Sequence, residues 1–166
     1  MVRGLILVLF CLSACGEEPP FPEDYETSWQ EVLTCAEASL HGGDSIRIFI
    51  NDAAKPTWTD WSQRVLDSGN GILPAGEMIE FAAGSVLLKA QYSNSNCSQF
   101  KHWTMMTRLE TGADTNNGNW RWEIVNADED GLPTTPSAGG DGCFSCHQSY
   151  RRTDYAGNSP NPPQVP

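Results

Sequence analysis

The stretch Ser45-Ile46-Arg47-Ile48-Phe49-Ile50 decides the fold class, because its near-alternating pattern and its β-branched residues are typical of a strand. Three later stretches, residues 85–92, 103–109 and 119–125, have the same character and are separated by polar loops rich in Asn and Gly. No internal repeat is visible. The sequence therefore predicts a single domain with four strands.

Two helices are predicted beside these strands. Residues 25–40 place apolar side chains at helical spacing before the stop signal Gly42-Gly43. Residues 57–67 form the second, with Thr57 or Thr59 as the N-cap and Gly69-Asn70-Gly71 as the end. Its apolar face consists of Trp58, Trp61, Val65 and Leu66. A long loop over 126–142 and a disordered, proline-rich tail over 159–166 complete the chain.

The N-terminus has the features of an export signal. Residues 1–14 combine a basic start with an apolar run and a small-residue cleavage site, and the run is too short to span a membrane. The ending Leu-Ser-Ala-Cys resembles a bacterial lipobox, which makes Cys15 a lipidated first residue, although ordinary secretion with Cys15 as a bystander is the alternative. Gly16 favours the outer membrane. We therefore expect a periplasmic protein of a Gram-negative bacterium, held to the membrane only by lipid on Cys15, with residues 15–24 as a flexible tether.

The charge of the mature chain is strongly negative. Removing residues 1–14 takes away Arg3 alone, which leaves nine of the ten basic residues against all 21 acidic ones, a formal net charge of −12. This balance opposes binding to nucleic acid or to anionic lipid headgroups. It is compatible with small neutral substrates or basic protein partners.

One motif carries recognisable chemistry. Cys143-Phe144-Ser145-Cys146-His147 is the C-x-x-C-H sequence that attaches a c-type haem. Two thiols at this spacing each add to a haem vinyl group, and the following imidazole then ligates the iron. The alternatives are chance, a redox-active cysteine pair, and a zinc knuckle with His41 or His102 as a fourth ligand.

Two further cysteines need an explanation. Five of the six cysteines remain after residues 1–14 are removed, and assigning Cys15 to lipid and Cys143 and Cys146 to haem leaves Cys35 and Cys97. In an oxidising compartment we expect these two to form a disulfide, which stabilises the fold by about 3 to 5 kcal/mol in the chain-entropy model. Two buried free thiols are the alternative.

The order of four segments resembles the cytochrome P-460 family, which includes the beta-type c-prime cytochromes. The segments are Ile46–Ala53, Ala83–Lys89, Gly118-Asn119-Trp120, and Cys143–His147 with Thr153-Asp154-Tyr155. The resemblance implies an α+β fold of mainly antiparallel sheet with a few helices, in one haem domain over residues 25–158. It also implies haem c as the cofactor, iron ligation by His147, and the homodimer that many members form.

Lys89 is the residue that the resemblance singles out. In members that oxidise hydroxylamine, a lysine at the matching place is cross-linked to the haem. A lysine that faces solvent or pairs with a haem propionate is the alternative. The implied activity is that of an oxidoreductase acting on small neutral nitrogen species, hydroxylamine or nitric oxide, with a cytochrome as the redox partner. A six-coordinate electron carrier and a nitric-oxide-binding module without turnover are the other candidate functions.

Several residues are candidates for the haem surroundings. Alternate residues of the strand at 103–108 share a face, so this strand supplies candidates for the distal side, together with Phe81 and His102. Met105, Met106 or His102 is a candidate sixth ligand. Core packing or a surface position is the alternative for each of them. Arg151 and Arg152 are candidates to hold haem propionates, with a solvated helix face as the alternative, and Asp154 is a candidate to support His147 or cap a turn.

Overall fold

Six strands form one antiparallel sheet in which each strand pairs with the next along the chain. The computed structural model describes residues 19–157. The strands are β1 Gln30–Ala38, β2 Asp44–Ile50, β3 Val86–Tyr92, β4 Phe100–Arg108, β5 Trp120–Val125 and β6 Ser137–Ala138. The helices are α1 Tyr25–Ser28, α2 Lys55–Asp67 and α3 Gly140–His147. The predicted α+β fold with a mainly antiparallel sheet is confirmed.

The register divides the sheet into two faces. Lys89 of β3 lies opposite Ile48 of β2 and Thr104 of β4, so these three residues share one face. Leu88, the next residue along β3, lies opposite Met105 and belongs to the other face. We call the surface that contains Lys89 the Lys89 face.

Helix α2 covers part of the Lys89 face. Its residues Trp58, Trp61 and Val65 are buried in a cluster with Leu87 and Trp120 of the sheet. Those three side chains were predicted to form the apolar face of this helix, and that prediction is confirmed. Removing them from water is the main contribution of α2 to stability.

Two details of the α2 prediction are wrong. Leu66 is 46% exposed, because it lies outside the arc that contacts the sheet. The N-cap is Ala54 without a side-chain hydrogen bond, and Pro56 occupies the first turn. Thr57 instead donates a hydrogen bond from Oγ1 to the carbonyl of Glu80, at 3.3 Å. Proline at a helix start replaces the capping signal, since its fixed φ already suits the first turn.

The opposite face of the sheet packs against the N-terminal segment. Phe21 is only 3% exposed and contacts the rings of Tyr25 and Trp103 edge-on. The boundary predicted at residue 25 is therefore wrong, because the end of the expected tether over 15–24 is part of the packed domain. An aromatic side chain among prolines and acids still gains enough from burial to order its segment.

The long helix predicted over residues 25–40 is also wrong. Helix α1 ends at Ser28, and strand β1 follows and pairs with β2. The pairing contains irregularities between Glu31 and Ala36, which obscure the period-two pattern in the sequence. Tertiary pairing with β2 overrides the helical spacing of the apolar residues.

A disulfide joins Cys35 of β1 to Cys97, the pair expected from the cysteine count. The two Cα atoms are 5.8 Å apart, and the residues are separated by 62 positions in the chain. The bond ties the first strand to the connection between β3 and β4. The alternative of two free thiols is therefore excluded.

The predicted export signal over 1–14, the predicted lipidation site at Cys15 and the predicted disordered tail over 159–166 lie outside the described residues. Within residues 19–157, no helix has the length and apolar composition needed to cross a membrane.

Candidate functional site

Helix α3 presents the C-x-x-C-H motif beside the sheet. The helix ends at His147, and the long loop predicted over 126–142 is interrupted by β6 and by the first turn of α3. Cys143 is half-buried, Cys146 is exposed, and both are free thiols. The preceding Gly139 donates a 2.7 Å backbone hydrogen bond to the carbonyl of Trp122 in β5. This contact holds the start of the helix against the Lys89 face.

The imidazole of His147 is anchored through one nitrogen. Its Nδ1 lies 2.5 Å from the backbone carbonyl of Tyr155. Because a carbonyl only accepts, Nδ1 carries the hydrogen and Nε2 has a free lone pair. The rings of Trp122 and Tyr150 lie 4.9 and 5.9 Å from the imidazole ring. Burial lowers the pKa of His147, and the Tyr155 carbonyl partly opposes this shift. An oriented, uncharged imidazole with an open nitrogen is suited to ligate a metal.

Lys89 lies mid-strand on the same side of the sheet. Its Nζ is 2.9 Å from Nε2 and 3.3 Å from Nδ1 of His41. Burial lowers the pKa of Lys89 to about 8, and Cys143 opposes that shift. Burial likewise lowers the pKa of His41 to about 4, with the charges of Lys89 and His147 acting in the same direction. The resemblance placed Lys89 here, whereas the sequence offered His41 only as a zinc ligand.

Cys143 and Lys89 influence each other. Burial raises the pKa of the Cys143 thiol, and the charge of Lys89 opposes that rise. The two side chains therefore belong to one electrostatic environment, together with His41 and His147.

Asp154 does not contact His147 directly. Its carboxylate accepts hydrogen bonds from the Phe81 amide at 2.8 Å and the Trp120 indole at 3.2 Å, and lies 3.5 Å from Arg108. Burial raises the pKa of Asp154, which the Phe81 amide, Arg108 and Trp120 oppose. The side chain that was expected to support His147 therefore acts indirectly. Asp154 fixes the loop that carries the Tyr155 carbonyl, and this carbonyl contacts His147.

The candidates for the distal side divide between the two faces. Met106 and Cys143 pack against the same cluster of buried residues, and the register places Met106, His102 and Thr104 on the Lys89 face. Met105 and Trp103 are buried in the opposite cluster, so their assignment to the distal side is wrong. Alternation along a strand forces this division.

The other candidates near the site have structural positions. Phe81 is buried against Trp120, with ring centroids 5.8 Å apart, which makes it a core residue. Arg108 is buried and paired with Asp154 and Glu80. Thr107 pairs in register with Val86 and Arg121, on the face opposite Lys89.

The two arginines after α3 differ. Arg152 donates to the backbone carbonyls of Leu73, Pro74 and Glu77, so its guanidinium is already used in holding that loop. Its assignment to a haem propionate is therefore wrong. Arg151 is exposed and keeps that candidacy.

The zinc alternative lacks a suitable ligand set. Among residues 19–157, no three or more His, Cys, Asp or Glu side chains are grouped so that they could hold a metal ion. The redox-pair alternative requires a thioredoxin-like βαβ unit, and the motif here follows an antiparallel sheet.

The comparison with known families decides what kind of protein this is. A family model described as Cytochrome P460 matches residues 22–156 of the 166-residue chain. The chain belongs to the cytochrome P460 family. The family binds a c-type haem with iron, so this cytochrome is a haem protein, and the resemblance found in the sequence is confirmed. No match was found among curated proteins.

The site of this cytochrome P460 fits a c-type haem. Two free thiols and an imidazole with one open nitrogen are the donor set that covalent attachment and axial ligation require. The indole N–H of Trp122, next to His147, is buried and has no hydrogen-bond partner among the described residues. A buried donor of this kind fits a polar group of a ligand.

Proposed function

We propose that this cytochrome P460 is an exported oxidoreductase that acts on hydroxylamine or nitric oxide. In this proposal, Cys143 and Cys146 bond to the haem, His147 ligates its iron, and Lys89 completes the site from the sheet. The observation that supports it is the anchoring of His147 through Nδ1, which leaves Nε2 with a free lone pair in a ring 6.4 Å from that of His41, the partner of Lys89.

When bound, the haem supplies an iron centre that binds small nitrogen compounds and passes on their electrons. The protein's own residues determine how that centre is held. The Tyr155 carbonyl keeps the hydrogen of His147 on Nδ1, which increases the basicity of Nε2. The amine of Lys89 provides hydrogen-bond donors in a water-poor environment, where each is worth more than at the surface.

The N-terminal sequence and the net charge support a location and a class of redox partner. The export signal and Cys15 support attachment to the periplasmic side of the outer membrane. The net charge of −12 left after residues 1–14 and Arg3 are removed supports a basic redox partner, for which a cytochrome is the expected class. Neutral hydroxylamine and nitric oxide approach an acidic protein without electrostatic hindrance.

The first experiment tests haem attachment. The matured, full-length protein is compared with the variants Cys143→Ala, Cys146→Ala and His147→Ala by haem staining and absorption spectroscopy. We expect the cysteine variants to lose one covalent bond each and His147→Ala to change the iron coordination. An unchanged spectrum in His147→Ala would refute the ligand assignment.

The second experiment tests the reaction. The purified protein is given hydroxylamine or nitric oxide with an electron acceptor, and Lys89→Ala is compared with Lys101→Ala as a matched control. Lys101 pairs with Asp44 at 2.6 Å on the surface, so its loss should leave turnover intact. We expect Lys89→Ala to lose activity. A cross-link between Lys89 and the haem would give a ferrous Soret band far to the red, and this band would disappear in Lys89→Ala.

Met106 supports a second candidate function, a six-coordinate electron carrier. It lies on the Lys89 face and packs against the same cluster as Cys143, whereas Met105 lies on the other face. If Met106 ligates the iron, the protein shows sharp low-spin bands that carbon monoxide does not alter, and Met106→Leu removes them. Met105→Leu is the matched control.

A third candidate function is a nitric-oxide-binding module. A spectrum that changes with nitric oxide, without turnover of nitric oxide, would indicate this function.

A further inference from the structure

We propose that His41 is a positioning residue, which holds the amine of Lys89 in the haem site through a hydrogen bond. The inference rests on the proposed function, in which Lys89 belongs to that site. The Nζ atom of Lys89 lies 2.9 Å from Nε2 of His41, across 48 positions of sequence. A lysine amine with this contact keeps one direction, where a free side chain would sample many rotamers.

The backbone fixes the position of His41. It ends a 3-10 turn over Ser39–His41, directly after β1, and Gly42 and Gly43 follow with φ angles of 76° and 81°. This left-handed pair reverses the chain into β2, where Asp44 pairs with Ala38. The hairpin thus carries the imidazole over the Lys89 face, where its ring centroid lies 6.4 Å from that of His147.

The chemistry assigns the direction of the hydrogen bond. A protonated lysine amine has donors only, so the histidine nitrogen must be the acceptor. No carboxylate replaces it, because within residues 19–157 Lys89 forms no ion pair and the nearby Asp44 is paired with Lys101 at 2.6 Å. His41 is consequently the side chain that sets the direction of Nζ.

An amine held in this way still has N–H groups available for other partners. A carboxylate partner would neutralise the charge of Lys89, whereas an imidazole acceptor orients the amine and leaves its charge in place. We infer that His41 keeps the amine of Lys89 directed at the haem or at a small nitrogen compound bound there.

The test uses the full, haem-loaded protein and four variants. His41→Phe keeps the ring volume without the acceptor, and His41→Gln restores an acceptor. Lys89→Met removes the amine, and His41→Phe with Lys89→Met closes a double-mutant cycle. The readouts are the reduction potential of the haem, its absorption spectrum, and kcat/KM for hydroxylamine.

We expect His41→Phe to shift the potential and the spectrum and to lower kcat/KM about tenfold, as for one lost hydrogen bond to a charged group. His41→Gln should return all three toward the original values. In the Lys89→Met background, His41→Phe should change none of them further.

A purely structural role gives a different pattern. In that case His41→Phe would shift the potential equally with and without Lys89, and this result would overturn the proposal. An unshifted potential in His41→Phe would overturn it too. If the protein does not turn over hydroxylamine at all, the proposed function fails, while the potential and the spectrum still decide the role of His41.

Discussion

The backbone carbonyl of Tyr155 lies 2.5 Å from Nδ1 of His147, so a residue eight positions after the histidine fixes its tautomer and direction. The loop that carries this carbonyl is held in place by contacts of Asp154 and of the Tyr155 ring. Asp154 accepts hydrogen bonds from the core, and the Tyr155 ring lies against Gly118 and Phe144. With His147 as the proposed iron ligand, small changes in these supports should therefore alter the coordination of the iron.

We expect Gly118→Ala to disturb both stability and the haem. Gly118 has a φ of 67°, and an added Cβ would overlap the ring of Tyr155. The alanine adds a backbone penalty of about 1 to 2 kcal/mol and also forces the tyrosine to move. Urea unfolding should show the loss of stability, and the absorption spectrum should show a change in iron coordination.

Gly112→Ala is the matched control. Gly112 has a φ of 90°, but an added Cβ meets nothing within 4 Å. This variant should have the backbone penalty alone and an unaltered spectrum. If both variants leave the spectrum unaltered, Gly118 has no effect on His147 through Tyr155.

Asp154→Ala should be strongly destabilising. It leaves the Phe81 amide and the Trp120 indole without their acceptor, and it removes one of the two carboxylates that pair with the buried Arg108. Leaving a buried donor without its acceptor costs about 1 to 3 kcal/mol for each group. Asp154→Asn keeps an acceptor oxygen and should lose less in urea unfolding. Equal losses in the two variants would show that the hydrogen bonds contribute little.

The sequence alone was sufficient to predict strands β2 to β5 but not strand β1. Strands β2 to β5 keep near-alternating apolar residues, which local pattern alone can identify. Strand β1 has apolar residues that also fit a helix, and its pairing with β2 and the bond from Cys35 to Cys97 come from distant parts of the chain. Local spacing cannot encode such contacts.

The site shows the same division. The C-x-x-C-H motif is local, so its spacing is sufficient to predict a haem. Lys89 could be singled out only by family resemblance, because a lysine within a strand has no distinctive pattern. The contact of His41 with Lys89 spans 48 positions in the sequence. The helix wrongly predicted over residues 25–40 also ends directly before His41, which in the structure ends a 3-10 turn. Only the folded hairpin brings the two together.

Removing the disulfide should lower stability without releasing the haem. Cys35 and Cys97 close a loop with a sequence separation of 62. The chain-entropy model gives a contribution of about 4 kcal/mol for such a loop. Cys35→Ser with Cys97→Ser should lower the urea midpoint accordingly. Dithiothreitol should have the same effect on the original protein and none on the double variant, since thioether bonds to haem resist reduction.

Tyr25 makes stability fall in alkaline solution. Burial raises the pKa of its phenol above the usual value, although the hydrogen bond that the Trp103 indole donates to it, at 3.0 Å, opposes the shift. The folded protein thus binds this proton more tightly than the unfolded chain does. The contribution is fully present below about pH 10, the pKa in the unfolded chain, and is lost as pH rises toward the folded pKa.

Between about pH 10 and 11.5, the free energy of unfolding should therefore fall by up to about 1.4 kcal/mol per pH unit because of Tyr25. Tyr25→Phe should remove this part of the slope in urea titrations. Trp103→Phe breaks the same hydrogen bond of 3.0 Å but keeps the phenol, so its slope should stay as steep as in the original protein. Parallel slopes for Tyr25→Phe and the original protein would mean that the phenol has the same pKa in the folded and unfolded states. A flatter slope in Tyr25→Phe alone assigns the loss of stability in alkaline solution to this one buried group.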